Sequence, residues 1–345
     1  MRSITRRAAL LTPRLLALPA VGAGALAAGA LAPGALAPGA SAQGADWVPN
    51  QPVRLINPFA PGGSPDILAR AMAPHVQQML GQPMVVENRP GAGGMVGARY
   101  AAQQPADGHA VFLAAISAVL APFMAREPGY RIEDFRPVSI LSVTPLVLVV
   151  RENFPAQNVA EWDRVLRASP GRFTYATAGI GTPHQMAAEL YANLTGAQIT
   201  HVPYRGTAPA LTDIRAGTVD FMFADLAAAL GQIRQGGLRA LAVTTSRRVP
   251  AIADVPMMGE TILPGFEAYS FVSWWVPART PDAAIRRLNQ VALHALAQAD
   301  VQARIQEFGF LTEGTSVERA QQFLAAEGVK WSALIRARNL RFEEG

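Results

Sequence analysis

Two glycine-containing segments, each ending in a hydroxyl residue followed by proline, are the part of this sequence best suited to hold a ligand. The first is Asn-Pro-Phe-Ala-Pro-Gly-Gly-Ser-Pro-Asp at 57–66, and the second is Tyr-Ala-Thr-Ala-Gly-Ile-Gly-Thr-Pro-His-Gln at 175–185. Proline disfavours the α region for the residue before it, so Ser64 and Thr182 suit the N-cap of a helix. The proline then takes the first helical position, where a missing N–H costs little. Both segments therefore predict a helix start, and Thr182 with Gln185 fits a capping box.

Helix starts of this kind can bind an anion through the backbone. The first N–H groups of a helix have no partner within it, and the helix dipole places partial positive charge at the same end. Glycine lets the backbone approach a ligand closely, and we expect this freedom to be needed at Gly63 and Gly181. A pair of such starts would hold one carboxylate from two sides. The alternative is that both are ordinary strand-to-helix loops with good caps.

Four side chains near predicted strand ends could add to such a site, and each also has a structural interpretation. His184 could donate to a ligand carboxylate or be structural, and Asp66 could accept from a ligand hydroxyl or ammonium or stabilise the helix dipole. Asp225 could cap a helix or select the far end of the ligand. Tyr204 could line a cleft or belong to a plain turn. These alternatives stay open at the level of sequence.

No motif for catalysis, metal binding or cofactor binding is complete, which favours a binding protein over an enzyme. The glycines at 91–93 lack the third glycine of a dinucleotide fingerprint, because position 96 is Val. The five histidines are scattered without metal-ligand spacing, and there is no cysteine. The net charge is +5, but four arginines lie in 1–42, which leaves about +1 for the remainder. That is too little for a nucleic-acid surface. We expect no catalytic residue, metal, cofactor or nucleic-acid partner.

Residues 1–42 have the composition of an export signal. A basic start precedes an uncharged stretch over 15–45, and the small residues Ala-Ser-Ala stand at 40–42. This pattern predicts a signal peptide cleaved before Gln43 and a mature protein outside the cytoplasm. Glycines and prolines interrupt the uncharged stretch, which argues against the alternative of a retained membrane anchor. Thr-Arg-Arg at 5–7 resembles a twin-arginine signal, and the export route is left open.

Strands and helices are predicted to alternate along most of the chain after the signal. Strands separated by helical patterns of ten to fifteen residues indicate βαβ units and parallel sheets. The tail differs, because 281–298, 299–308 and 316–338 all have helical periodicity. The predicted strands are 53–57, 84–88, 110–115 and segments near 138–150, 173–176, 199–202, 219–223 and 238–243.

Two strand-like segments, 145–151 and 269–277, are candidates for crossings between two domains. If both cross, one domain is continuous over 146–269. The other combines 47–145 with 270–345. A double crossing of this kind forms a hinge and a cleft, which is a common place for a ligand.

A family resemblance covers nearly all of the chain after the signal. The matching motifs are Pro-Phe-Ala-Pro-Gly-Gly-Ser-Pro-Asp at 58–66, Val-Glu-Asn-Arg-Pro-Gly-Ala-Gly-Gly at 86–94, Tyr-Ala-Thr-Ala-Gly-Ile-Gly-Thr at 175–182, His-Val-Pro-Tyr-Arg-Gly-Thr-Ala-Pro-Ala-Leu at 201–211, Leu-Arg-Ala-Leu-Ala-Val-Thr at 238–244, Asp-Val-Pro at 254–256 and Leu-Pro-Gly-Phe-Glu at 263–267. With these motifs in this order, the chain resembles the substrate-binding proteins of tripartite tricarboxylate transporters, the Bug-type periplasmic receptors.

The resemblance implies an α/β fold with two domains, the Venus-flytrap fold of periplasmic binding proteins. It implies two mainly parallel sheets flanked by helices, with a ligand cleft between the domains. It also implies a receptor, expected to be a monomer, that captures a small carboxylate and delivers it to the membrane permease of a tripartite transporter. The alternatives are a receptor that presents its ligand to a membrane sensor protein and, with less support, a small-molecule enzyme that uses the same cleft.

In the family, the loops matching 58–66 and 177–184 hold one carboxylate, largely through backbone N–H groups and ordered water. The resemblance and the helix-start argument together select the ligand-binding candidates Phe59, Ala60, Gly62, Gly63, Ser64, Asp66, Thr177, Ala178, Gly179, Gly181, Thr182, His184, Tyr204 and Asp225. The segment 114–122 lacks the Gly-Thr and Asn-Pro common in the family, and Pro-His-Gln-Met at 183–186 departs from its frequent His-Leu. These departures concern the part of the site that would hold the far half of the ligand.

Overall fold

The computed structural model describes residues 47–342, and the expected signal peptide at 1–42 lies outside them. The helices are α1 (Ser64–Leu80), α2 (Met95–Ala102), α3 (Ile116–Met124), α4 (Val159–Ala168), α5 (Pro183–Thr195), α6 (Thr207–Ala216), α7 (Leu226–Arg234), α8 (Met258–Thr261), α9 (Asp282–Leu296), α10 (Ala299–Glu307) and α11 (Val317–Ala337). The strands are β1 (Val53–Asn57), β2 (Met84–Asn88), β3 (Ala110–Ala114), β4 (Phe135–Thr144), β5 (Leu146–Arg151), β6 (Thr174–Thr177), β7 (Thr200–Pro203), β8 (Phe221–Asp225), β9 (Leu238–Val243), β10 (Ser270–Pro277) and β11 (Leu311–Thr312).

The strands form two sheets. The first has the order β11-β4-β10-β3-β1-β2, and the second has the order β7-β6-β8-β5-β9. The chain leaves the first sheet at Pro145, the single residue between β4 and β5, and returns to it after β9 within 244–269. The segments expected to cross, 145–151 and 269–277, therefore contain strands that each belong to one sheet. In the described range, no helix is long and apolar enough to span a membrane.

Both sheets are mixed, so the expectation of mainly parallel sheets is wrong. Pairs of β1 with β2 and β3, and of β6 with β7 and β8, are parallel, as expected for strands connected through helices. The pairs that β4, β5, β10 and β11 make are antiparallel. The reason is the connection: β5 follows β4 after one residue and enters the other sheet, and β10 follows a long connection without forming a βαβ unit with either of its neighbours.

Adjacent tryptophans in β10 show how the first sheet is buried on both faces. Consecutive side chains of a strand point to opposite faces, and Trp274 and Trp275 are both fully buried. Trp275 packs with Phe112 and Phe135, with ring centroids 6.1 and 5.7 Å away. Trp274 belongs to the apolar layer on the other face, beneath α1 and α9. This two-sided burial fixes the strand ends from which the loops of the next section leave.

Candidate functional site

A cavity of about 770 Å³ lies where five strands end and the helices after them begin. We call it the helix-start cavity. Its lining includes residues at the starts of α1, α2, α3, α5 and α7, namely Pro65, Gly94, Ile116, Pro183 and Ala227. These helices follow β1, β2, β3, β6 and β8, and ligands of open α/β sheets commonly bind beyond the carboxyl ends of such strands. The cavity thus receives helix starts that follow strands of both sheets.

The electrostatic character of the cavity comes mainly from the backbone. Each helix start carries the equivalent of about half a positive charge on N–H groups without an intrahelical partner. Among the described residues that line the cavity there is no lysine or arginine, and the ionisable side chains are His184 and Asp225. Most other lining side chains are apolar, including Phe59, Phe271 and Phe310. The arrangement favours an anionic group at the helix starts and an apolar body beside it.

The start of α5 differs in detail from the expected capping box. Thr182 is the N-cap, as predicted, but its hydroxyl donates to the carbonyl of Gly179 at 2.6 Å rather than accepting from the helix. The side chain of Gln185 accepts from the N–H of Gly181 at 2.8 Å, whereas a capping box requires the N-cap N–H itself. The loop before α5 is therefore held from inside, through its own carbonyl and N–H. The first N–H groups of the helix are left for another partner.

The start of α1 is one residue earlier than predicted, and its glycine requirement lies elsewhere. Gly63 is the N-cap and Ser64 is the first helical residue. The φ of Gly63 is −72°, and a Cβ built on it would lie 3.5 Å from the carbonyl oxygen of Ala60, an ordinary contact. The φ of Gly63 and the protein atoms around it therefore do not themselves require a glycine. In this loop the positive φ of +82° belongs to Gly62.

Gly181 does have the expected requirement. Its φ is +72°, in the left-handed region that side chains with a Cβ seldom adopt. A Cβ added there would also lie 2.2 Å from Cε1 of the Phe342 ring. The backbone of Gly181 is thus in direct contact with an aromatic ring from the far end of the chain.

Asp66 holds the loop before α1 and does not line the cavity. It is 2% exposed, and its two oxygens accept from the N–H of Gly62 at 3.0 Å, from Asn88 at 2.8 Å and from Asn57 at 3.2 Å. The Arg70 guanidinium donates to both oxygens, at 2.9 and 3.2 Å. Burial raises the pKa of Asp66, but these hydrogen bonds and the Arg70 charge outweigh it and lower the pKa to about 2. Asp66 thus holds the loop before α1 through side-chain and backbone hydrogen bonds, a role that neither of the two sequence interpretations named.

His184 and Asp225 meet at the wall of the cavity. The Nδ1 atom of His184 accepts from the N–H of Ala178 at 3.4 Å, which leaves the ring proton on Nε2. Nε2 lies 3.0 Å from Oδ2 of Asp225, yet it meets no partner at hydrogen-bonding angles within the described part of the chain. Since His184 is 4% exposed, this nitrogen is a buried donor that a ligand oxygen can use.

Asp225 is both the N-cap of α7 and a side chain of the cavity. Its Oδ2 also accepts from the hydroxyl of Thr207 at 3.2 Å. Burial raises the pKa of the Asp225 carboxyl, but the positively polarised Nε2–H of His184, 3.0 Å away, and the Thr207 hydrogen bond outweigh it and hold the pKa below its usual value. The carboxylate therefore carries its negative charge at neutral pH and can accept from a ligand.

The structure brings part of the candidate set to the cavity. Six candidates line it: Phe59, Ala60, Gly181, Thr182, His184 and Asp225. Seven are outside its lining: Gly62, Gly63, Asp66, Thr177, Ala178, Gly179 and Tyr204. The side chain of Ser64 lies outside the described part of the structure. Among the seven, Thr177 donates to the carbonyl of Gly179 at 3.1 Å, and the Tyr204 hydroxyl donates to Asp213 at 2.7 Å. These contacts support loops near the cavity.

Sequence reasoning missed the helix starts of α2 and α3 and most of the apolar wall. The glycines at 91, 93 and 94 line the cavity and could have indicated the start of α2. The start of α3 has no comparable signature, because no glycine or proline stands before its first turn. Asp225, for which one interpretation was a helix cap, is the N-cap of α7. Phe271, Phe310 and Phe342 come from distant parts of the chain.

Known proteins provide independent comparisons. A family model described as the tripartite tricarboxylate transporter family receptor matches residues 68–340. The periplasmic binding protein BugD is 30% identical, with a TM-score of 0.68 over 86% of this chain and 100% of BugD. MatC from Rhodopseudomonas palustris with bound malate is 31% identical, with a TM-score of 0.67 over 83% of this chain and 99% of MatC. Rpa4515 from R. palustris with adipate is 31% identical, with a TM-score of 0.70 over 86% and 99%. The two-sheet fold is therefore that of periplasmic binding proteins.

The Asp66 network predicts a pH-dependent contribution to stability. Because the pKa of Asp66 falls from its ordinary 3.8 to about 2 on folding, its stabilisation is complete above pH 4 and is lost as the pH falls through 2. We expect Asp66→Asn to lower the free energy of unfolding by about 2 kcal/mol at pH 7, the equivalent of this shift. Urea unfolding of both proteins at pH 7, 4 and 3 measures the difference, which should narrow below pH 4.

Asp254→Asn is the matched control, because Asp254 is an exposed aspartate. Its free energy of unfolding should follow that of the wild type throughout. A difference between Asp66→Asn and the wild type that stays constant from pH 7 to pH 3 would contradict the charge-based account.

Proposed function

We propose that this chain, which belongs to the tripartite tricarboxylate transporter receptor family, captures a small carboxylate in the helix-start cavity and delivers it to the membrane permease of a tripartite transporter. Proteins of this family are periplasmic solute-binding receptors. The site proposed for this chain combines Phe59 and Ala60 before α1 with Gly181, Thr182 and His184 at α5. The proposal includes no catalytic step.

The observation that carries this proposal is the convergence of helix starts on a cavity without a lysine or arginine in its described lining. An anion of one or two charges suits such a site, because partial charges on several N–H groups share it without a fixed cation. Each hydrogen bond to a charged group contributes roughly 1.5–3 kcal/mol. Three or four of them are compatible with micromolar binding, about −8 kcal/mol, after the cost of association.

The ligands of two relatives support a carboxylate. MatC was solved with malate and Rpa4515 with adipate, and both proteins are 31% identical to this chain. The buried Nε2 of His184 is a further donor for a ligand oxygen. The charged Asp225 repels a carboxylate placed directly beside it, so we assign it to a ligand hydroxyl. Malate carries such a hydroxyl and adipate does not.

Export to the periplasm is part of the proposal. The signal expected in 1–42, with cleavage before Gln43, would bring the receptor to the compartment in which the family acts. The Thr-Arg-Arg at 5–7 suits the twin-arginine route. We propose a monomer in that compartment, with the permease as its membrane partner.

The direct test is calorimetric titration with succinate, malate and adipate, together with the diamide of succinic acid. We expect dissociation constants of about 1 μM for at least one dicarboxylate, and no measurable binding of the diamide, because it lacks charge. Equal affinity for succinate and its diamide would contradict an anion site. Failure of all three dicarboxylates to bind would overturn the proposed ligand class.

Closure around the ligand is a second expectation. We propose that 47–145 with 270–345 and 146–269 are two domains that move about the connections at Pro145 and 244–269, since the two sheets are joined there. A dicarboxylate held by helix starts from both sheets should draw the domains together. Small-angle scattering at saturating ligand should then show a smaller radius of gyration. An unchanged scattering profile at proven saturation would contradict closure.

Substitutions at Gly63 and Gly181 should differ in their effect on binding. Gly181→Ala forces a Cβ into a backbone with φ +72° and against Phe342, so it should disturb the start of α5. We expect at least ~30-fold weaker binding, equivalent to about 2 kcal/mol. Gly63→Ala, with φ −72° and room for a Cβ, is the matched control and should stay within about threefold of wild type.

His184→Ala removes one donor and should cost about 1 kcal/mol, near the net contribution of one hydrogen bond. Titration of all three variants, each first shown to be folded by circular dichroism, ranks them. Near-native affinity in Gly181→Ala would move the anion away from the start of α5.

A further inference from the structure

The segment after α11 carries an aromatic ring to the start of α5. Phe342 lines the helix-start cavity. Its ring packs so closely on Gly181 that a Cβ on that glycine would lie 2.2 and 2.9 Å from Cε1 and Cζ. The end of the described chain is therefore part of the wall at the helix start to which we assign a ligand carboxylate.

The segment that carries Phe342 is held at several points. Arg338 Nε donates to Oε2 of Glu189 in α5 at 2.7 Å, and Tyr175 donates to the other oxygen of this buried carboxylate, also at 2.7 Å. The N–H of Leu340 donates to the carbonyl of Ile335 at 3.0 Å, which closes the end of α11. The N–H of Phe342 itself donates to the carbonyl of Met124, the last residue of α3, at 3.3 Å. These contacts give the ring a defined position.

A second cavity, of about 580 Å³, is also lined by Phe342. It is lined by Phe123, Met124, Ala125, Arg126, Arg341 and Phe342. Among the described residues, Phe342 alone belongs to the linings of both cavities. The second cavity has two arginines, whereas the helix-start cavity has no basic side chain in its described lining apart from His184.

We propose that Phe342 determines which ligands fit by forming the partition between the two cavities and so limiting ligand length. This inference rests on the proposed function, because it needs a carboxylate at the start of α5. In this proposal, a ligand whose carboxylate is bound at the start of α5 extends as far as the Phe342 ring and no further. Without the ring, a longer chain reaches the second cavity, where the guanidinium of Arg341 can pair with a second carboxylate.

The expected change in relative affinity follows from how strongly an apolar wall discriminates between ligands of different length. One methylene accommodated or rejected by an apolar pocket changes affinity about 10-fold or more. Two to four extra methylenes distinguish adipate and suberate from succinate. The wild type should therefore prefer the shorter acids, and removal of the ring should reduce or reverse that preference.

The test is calorimetric titration of the wild type, Phe342→Ala and Phe342→Leu with succinate, adipate and suberate. We expect Phe342→Ala to improve the affinity for suberate relative to succinate by at least about 10-fold, with Phe342→Leu in between. Arg341→Gln is the matched control. Arg341 lines the second cavity and not the helix-start cavity, so this variant should keep the wild-type length profile. Combined with Phe342→Ala, it should reduce the gain for suberate.

Two outcomes would overturn the inference while leaving the proposed function intact. One is an unchanged length profile in Phe342→Ala. The other is an equal increase in affinity for all three acids, which would identify the ring as a plug that competes with every ligand. If the wild type binds none of the three acids, the proposed function fails and the inference fails with it.

Discussion

The first N–H groups of a helix have no partner inside the helix, and the site proposed here depends on that constraint. In this chain the starts of α1, α2, α3, α5 and α7 all reach one cavity. Buried donors without partners are costly, and several helix starts with the same polarity add to that cost. A bound anion accepts hydrogen bonds from these N–H groups and also offsets their shared partial positive charge. The backbone therefore supplies the electrostatic attraction that basic side chains supply in other anion sites.

The loops before these helices are held so that their donors stay available. Asp66 binds Gly62 and two asparagines, and Gln185 binds the N–H of Gly181. Each of these polar side chains points back into its own loop instead of into the cavity. They act as positioning residues, and the lowered pKa of Asp66 reflects how completely it is surrounded by donors. His184 has a different role, because its Nε2 remains a donor at the cavity wall. The N–H of Ala178 holds the other ring nitrogen, Nδ1.

Features that depend on local backbone chemistry could be predicted from the sequence. Features that depend on contacts between distant segments could not. The starts of α1 and α5 were found because proline and glycine have local backbone requirements, and Thr182 is the N-cap as predicted. The positive φ of the Gly-Gly pair belongs to Gly62 and not to Gly63. Sequence pattern alone does not assign it to one of two neighbouring glycines. The antiparallel pairs of the mixed sheets depend on tertiary pairing, which local patterns do not encode. The family resemblance supplied the fold where periodicity could not.

In a site whose anion is held by backbone groups, the helix starts supply the affinity for the anion, and other groups decide which anion is selected. Any sequence that keeps the helix starts keeps the donors, so discrimination among carboxylates falls to the remaining side chains of the wall. Relatives that bind malate and adipate are equally similar to this chain, at 31% identity, which agrees with one anion site serving different acids. In this chain those wall positions include Asp225, which can accept from a hydroxyl, and Phe342, which comes from the last described residues. Phe342 lies outside the sheets and helices that form the core, and under the proposal a change at this wall position alters ligand length without altering the helix starts.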